Sequence, residues 1–259
     1  MLERRQSGGG VTVAVSRELE ARGFLVAVTE RSGGVSRGQF RSLNLGFSGG
    51  DDPGMVRTNR QRVCGALGLG SFALARQIHG SQVEHIGPGR AGTGFDGPSA
   101  AMATADVLTT SIPGVALAVL AADCVPVALA DPDTGRLVLV HAGWRGIAAG
   151  VVASALGLFE DPGAVCAVIG PAIGPDHYEV GEEVVQAVSA AADEAVVARR
   201  SGSRSFLDLP LTVARFLTRN GVRLVDRATE CTACEPARFF SHRRDGPSGR
   251  QAMVAVRLA

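Results

Sequence analysis

Residues 122–146 read ADCVPVALADPDTGRLVLVHAGWRG, two apolar runs either side of a turn. VPVALA (125–130) and RLVLV (136–140) are aliphatic and β-branched, and Asp131-Pro132-Asp133-Thr134 with Gly135 between them is turn chemistry. The pattern predicts an antiparallel hairpin. A four-residue loop closing Ala130 onto Gly135 sets a register in which Val127 faces Val138, Val125 faces Val140 and Cys124 faces His141. Facing residues have Cα atoms roughly 4.5–5.5 Å apart, close enough for one ion to bridge a thiolate and an imidazole.

A third candidate lies upstream. His79 closes another apolar run, residues 72–78, within Gln77-Ile78-His79-Gly80. His79, Cys124 and His141 offer one thiolate and two imidazoles, a set that selects zinc or copper and leaves one coordination position open. Blue-copper sites use the same three ligands with a short Cys–His–Met loop that this chain lacks, so zinc ranks first. Two other readings use the same residues. In one, Cys124 is a hydrolase nucleophile activated by His141 with Asp123 nearby; in the other, the residues line a binding pocket without turnover. A hydrolase needs one histidine and no metal, whereas a metal centre needs both. Cys231-Thr232-Ala233-Cys234 is a lone CxxC without a second pair, which argues against a zinc ribbon.

Outward from the hairpin, residues 11–15 and 24–28 read as strands, and Asp52-Pro53 opens a helix with an N-cap followed by proline at its first position. Val56, Arg60, Val63 and Leu67 lie on one stripe of that helix, so Arg60 either snorkels at the core edge or meets substrate. Residues 83–99 read as a loop beside the site. The GTGFDG within them matches a dinucleotide-binding pattern only formally, since no strand leads in and Pro98 follows. Residues 145–159 read as a helix with Arg145 in its first turn, an anion-binding arrangement next to the metal ligands. Residues 180–199 read as one long helix, and Asp208 caps another that stops at Asn220-Gly221. Strands and helices are mixed along the chain, which predicts one α/β or α+β sandwich domain over residues 11–259 behind a disordered tail, residues 1–10.

Bulk properties narrow the function classes. With 46% hydrophobic residues the chain can bury a substantial core, and with a net charge of +1 nothing in the balance argues for nucleic acid or an anionic membrane as the main partner; neither is expected. No apolar run approaches the ~18–20 residues that span a bilayer. The start, MLERRQSGGG, lacks the apolar core of a secretory signal. Five scattered cysteines fit a reducing cytoplasm better than a disulfide framework.

QIHGSQV, TADVLTT, AADCVPVALAD, HAGWRG, IGPAIG with YEVGEEV, and CT…FFSHRRD…GRQ together resemble the bacterial laccase-domain family, first labelled polyphenol oxidases. The resemblance runs over roughly residues 24–256, with SGGVSRG and SLNLGFSGGDDP near its start. It implies a single layered α/β/α sandwich and a zinc-dependent purine nucleoside phosphorylase. Such an enzyme cleaves adenosine, inosine and 5′-methylthioadenosine with phosphate, and also deaminates adenosine. The implied zinc ligands are His79, Cys124 and His141. Arg145 and Arg60 are expected to hold phosphate or ribose hydroxyls. Asn44 and Asp123 are expected to contact the nucleoside or orient a ligand. Arg243 and Arg244 are expected either to form part of the pocket or, the favoured reading, to brace it through Asp245. His242 stands where the family commonly has tyrosine, and Cys234 falls outside the pattern and reads as structural. A copper-dependent polyphenol oxidase is the runner-up, although three ligands cannot build a multicopper centre. The expected assembly is a monomer or small homo-oligomer.

Overall fold

Strands Val125–Asp131 and Arg136–Ala142 pair antiparallel in the computed structural model, which describes residues 2–259. Their side chains alternate between two cores. Val127, Leu129, Val138 and Val140 enter one, and Ala128, Ala130, Leu137 and Leu139 enter the other. Burial on both faces marks the centre of a sheet. The two strands are third and fourth of a six-stranded mixed sheet ordered Arg223–Arg227, Cys166–Ile169, Val125–Asp131, Arg136–Ala142, Val107–Thr110, Val83–His85.

The register differs from the expected one by two residues. Asp131 is the last paired residue, opposite Arg136, so Val127 faces Val140 and Pro126 faces His141. The Asp131 carboxylate is the reason. Its Oδ1 accepts from the backbone N–H of Asp133 and Thr134 (2.9 and 3.3 Å), its Oδ2 accepts from the Thr134 hydroxyl (2.6 Å), and Gly135 takes a left-handed φ of 72°. The loop is therefore 132–135, and Cys124 falls just beyond the ladder, level with Gly143. A two-residue shift leaves every side chain on its expected face, so Cys124 and His141 stay together as diagonal neighbours.

Against this sheet packs a five-stranded antiparallel sheet ordered Glu3–Gln6, Thr12–Val15, Phe24–Thr29, Gln251–Arg257, Leu117–Ala121. Val26, Val28, Val119 and Met253 meet Leu137, Leu139 and Val168 between the two. Helices Trp144–Ala148, Val151–Leu156, Glu182–Ala192 and Leu209–Arg219 cover the far face of the six-stranded sheet through Ile147, Val151, Val184, Val188, Val213 and Leu217. Helix Pro53–Leu67 covers the far face of the other through Val63 and Cys64. A small third sheet joins Glu179–Val180, Arg204–Leu207 and Val197–Ser201. The result is a mixed α/β fold with three sheets and seven α-helices among the described residues. The β layer of the expected sandwich is thus two sheets face to face.

The expected helix starts hold: Asp52 accepts from the backbone of Gly54 and Met55, and Asp208 from that of Leu211. Other expectations are corrected. Glu3–Gln6, in the segment expected to be a disordered tail, is an edge strand paired with Thr12–Val15, and Arg4 donates to the buried Glu30 at 2.8 and 2.9 Å. The helix expected over 180–199 stops at Ala192, where Asp193 turns left-handed (φ 60°), and Val197–Ser201 is a strand. The helix expected over 145–159 is broken in two at Gly150 (φ 82°). Residues 72–78 make only single bridges, Ala73 to Leu117 and Arg76 to Thr104. No helix of the described residues is long and apolar enough to cross a membrane.

Candidate metal centre

His79, Cys124 and His141 arrive from three segments and converge, their donor atoms all within 4.8 Å of one another. Cys124 Sγ lies 3.8 Å from His79 Nε2, and the two imidazole rings stand edge to face with centroids 4.9 Å apart. Zinc–sulfur and zinc–nitrogen bonds of ~2.3 and ~2.0–2.1 Å at a tetrahedral angle put sulfur and nitrogen about 3.6 Å apart, so the donors fit one such ion. The chain bends sharply to bring them in: His79 itself has φ 61°, and Asp123, just before Cys124, has φ 93°.

Asp106 organises two of the three ligands. Its Oδ1 lies 2.8 Å from His141 Nδ1, and its carboxylate accepts the backbone N–H groups of Ile78, His79 and Gly80 at 3.0, 3.1 and 2.8 Å. Holding His141 by Nδ1 leaves its Nε2 for a metal ion and would raise its basicity as a ligand. Burial works against the charge on Asp106, yet His141 and the N–H groups of Gly80 and Ile78 hold its carboxyl below the usual range. Asp123, the expected orienting residue, has a different task. Its Oδ1 accepts from the Thr232 hydroxyl (2.6 Å) and its Oδ2 from the Arg243 backbone (2.7 Å). Asp106 was missed because a single aspartate before a strand carries no ligand spacing. Its partners lie 26 to 35 residues away.

Gly143 makes room for the cluster. A Cβ there would sit 2.9 Å from both Cys124 Sγ and His79 Cδ2. The donors perturb one another electrostatically. Burial pushes the Cys124 thiol up, but the neighbouring His141 and then His79 pull it down to about 6. Burial pushes His141 down, but the Cys124 thiolate and Asp106 raise it to about 9. The pair rests as thiolate and imidazolium.

The cluster opens into a cavity of about 670 Å³, within the size range of small-molecule sites. Asp123 and Arg145 line it, with Arg145 stacked 4.4 Å over Trp144. Arg60 also reaches the wall, but its guanidinium is spent on backbone. It donates to Leu45 O (2.9 and 2.6 Å), Gly94 O and Phe95 O (both 2.7 Å). At 2% exposure Arg60 is neither snorkelling nor free for substrate, and burial lowers its pKa to about 10. Asn44 does not line the cavity. Its Nδ2 donates to Gly46 O and Asp51, and its Oδ1 accepts from the backbone of Gly46 and Arg250. It thereby seats Arg250, which does line the cavity. Arg243 lines the cavity too, whereas Arg244 braces it through Asp245 and the carbonyls of Thr232 and Phe239. Arg76, Arg250, Phe47 and Tyr178 are wall residues that sequence reasoning missed. Phe47, Tyr178 and Arg250 fell within the quoted SLNLGFSGGDDP, YEVGEEV and GRQ stretches, whereas Arg76 carried no signal.

The family described as multi-copper polyphenol oxidoreductase laccase matches residues 25–258. A Mycobacterium tuberculosis protein named purine nucleoside phosphorylase is 37% identical over 256 residues, spanning 96% of this chain and 95% of its own. Purine nucleoside phosphorylase YfiH of Escherichia coli is 35% identical over 238 residues, spanning 90% of this chain and 93% of its own. The crystal structure of YlmD from Geobacillus stearothermophilus superposes with a TM-score of 0.90 at 31% identity, covering 100% of both chains. In sequence, in fold and in the whole extent of the match, the chain belongs to the multi-copper polyphenol oxidoreductase laccase family.

Proposed function

We propose that the chain is a zinc-dependent purine nucleoside phosphorylase acting on adenosine, inosine and 5′-methylthioadenosine, with adenosine deamination as a second activity. The observation that carries this reading is a thiolate–imidazole cluster set in a cavity walled by arginines, in a chain whose relatives bear that name. It acts as one domain that includes the edge strand Glu3–Gln6, in the cytoplasm, as a monomer or small homo-oligomer.

His79, Cys124 and His141 would hold the ion, which when bound supplies a Lewis acid with one position open to a substrate oxygen or water. The protein supplies the rest. Arg145, Arg243, Arg250 and Arg76 face the cavity and concentrate positive charge where a phosphate dianion binds. Phe47 and Tyr178 offer ring surface to a purine. Phosphorolysis breaks the bond between ribose C1′ and N9 and forms one from C1′ to a phosphate oxygen, so holding phosphate and ribose together is the main catalytic demand. His242 also lines the cavity, and its Nδ1 donates to Gly246 O at 2.9 Å, leaving Nε2 to face substrate.

One observation favours a second reading. Asp106, His141 and Cys124 stand in the order of a hydrolase triad, with the thiol already ionised at neutral pH. His79 separates the two, since a hydrolase does not need it. The decisive assay incubates purified protein with adenosine, with and without phosphate. Adenine and ribose 1-phosphate appearing only with phosphate supports phosphorolysis, and ammonia released without phosphate reports deamination. Activity that survives both chelation and His79→Ala supports the hydrolase, and copper-dependent phenol oxidation without nucleoside turnover supports the oxidase.

A further inference from the structure

We propose that His177, Cys231 and Cys234 form a second metal site, a structural one for a thiophilic divalent cation of the zinc type. Cys231-x-x-Cys234 has no partner pair in the sequence, and the fold supplies the missing ligand from 54 residues earlier. His177 Nδ1 lies 3.8 Å from Cys231 Sγ and 3.4 Å from Cys234 Sγ, and the three donors are all within 4.8 Å of one another. A tetrahedral zinc ion asks for about 3.6 Å between sulfur and nitrogen, a value the two distances bracket.

The backbone around the cysteines is built for thiolates. The N–H groups of Cys234 and Glu235 donate back to Cys231 O at 3.1 and 3.2 Å, a tight turn that carries both sulfurs to one side. The Gly174 N–H donates to Cys231 Sγ at 3.0 Å, the kind of contact that offsets charge on a ligating sulfur. A Cβ at Gly174 would come within 3.1 Å of Cys231 Cβ and 3.3 Å of its sulfur, so this approach suits glycine. Two thiolates and an imidazole select zinc over magnesium or calcium, with water completing the set.

The site would pin two segments that build the cavity wall. Ala172 bridges Cys231, and the Thr232 N–H donates to Ala172 O at 3.0 Å. The Thr232 hydroxyl holds Asp123, the neighbour of Cys124, at 2.6 Å. On the other segment, His177 O and Glu179 O accept from Arg243 at 3.2 and 3.0 Å, and Tyr178 lines the cavity. An ion at the second site therefore fixes Arg243, Tyr178 and Asp123 without touching substrate.

The test counts ions in full-length protein purified in zinc and reductant. Wild type should carry about two zinc ions per chain, and Cys231→Ser with Cys234→Ser, or Cys124→Ala, should each carry about one. His177→Cys supplies a third thiolate and should keep both ions, which guards against loss through misfolding. Loaded with Co(II), Cys124→Ala should retain sulfur-to-cobalt charge-transfer absorption, and the further change Cys234→Ser should abolish it. A wild type with one ion, unchanged by the Cys231 and Cys234 substitutions, overturns the proposal. So does a Cys231–Cys234 disulfide in freshly isolated, zinc-replete protein, detected as two thiols lost to alkylation.

Discussion

His141 Nδ1 lies 2.8 Å from the Asp106 carboxylate, and the same carboxylate gathers the backbone N–H groups of residues 78–80. One buried side chain thus sets the orientation of one ligand and the turn that presents another. Asp106→Asn should weaken zinc binding about 10–100-fold, because the oriented acceptor is lost and an amide N–H₂ faces the donors of 78–80. It should also cost on the order of 1–3 kcal/mol of stability. Asp123→Asn, which touches neither histidine, should change zinc affinity far less. Competition against a chromogenic chelator measures both variants.

Gly143 tests the packing of the cluster. Gly143→Ala places a Cβ 2.9 Å from both Cys124 Sγ and His79 Cδ2, and neither can retreat without leaving the ion. Its φ of −82° suits any residue, so the backbone is not strained. Metal affinity should fall by roughly tenfold or more while the unfolding midpoint stays within a few degrees. Calorimetry with and without zinc separates the two effects.

Protons compete with the ion in a defined window. Cys124 has a lowered pKa, so it is thiolate above about 6. His141 has a raised one, so it is cationic below about 9. An ion needs the thiolate and the neutral imidazole, so binding between those limits displaces the His141 proton. Zinc affinity should rise about tenfold per pH unit across the window, level off above it, and fall more steeply below it. Titration calorimetry in buffers of different ionisation enthalpy should show about one proton released from this pair near pH 7.5. A pH-independent affinity would contradict the thiolate–imidazolium assignment.

Arg60 is expected to matter for the cavity's shape rather than for its substrate. Arg60→Leu leaves the carbonyls of Leu45, Gly94 and Phe95 without their donor and should cost about 2–4 kcal/mol in urea unfolding. Arg145→Ala removes a guanidinium with no carbonyl or carboxylate partner among the described residues. It should raise the KM for phosphate about tenfold or more at little cost in stability.

The hairpin and the ligand trio were legible in the sequence because each rests on local pattern. Central strands show unbroken apolar runs, and ligand chemistry is carried by residue type. The register slipped by two because the last strand residue was set by Asp131, whose side chain bonds two and three residues ahead. Asp52-Pro53 and Asp208 gave away helix starts because caps are sequence-local, whereas the left-handed turn that ends the helix at Asp193 was masked by helix formers on both sides, Ala190-Ala191-Ala192 and Glu194-Ala195. Asp106 and the ligand role of His177 were hidden. Each acts through partners distant in sequence, and only the packed sheets bring them together.

On the proposed function, phosphate-dependent nucleoside cleavage requires the His79–Cys124–His141 ion. Adenine release from adenosine and phosphate should be lost when the protein is stripped by a chelator, return on adding zinc, and stay absent in Cys124→Ala whatever is added. Cys124→Ala protein that cleaves adenosine at the wild-type rate, with or without zinc, would contradict it.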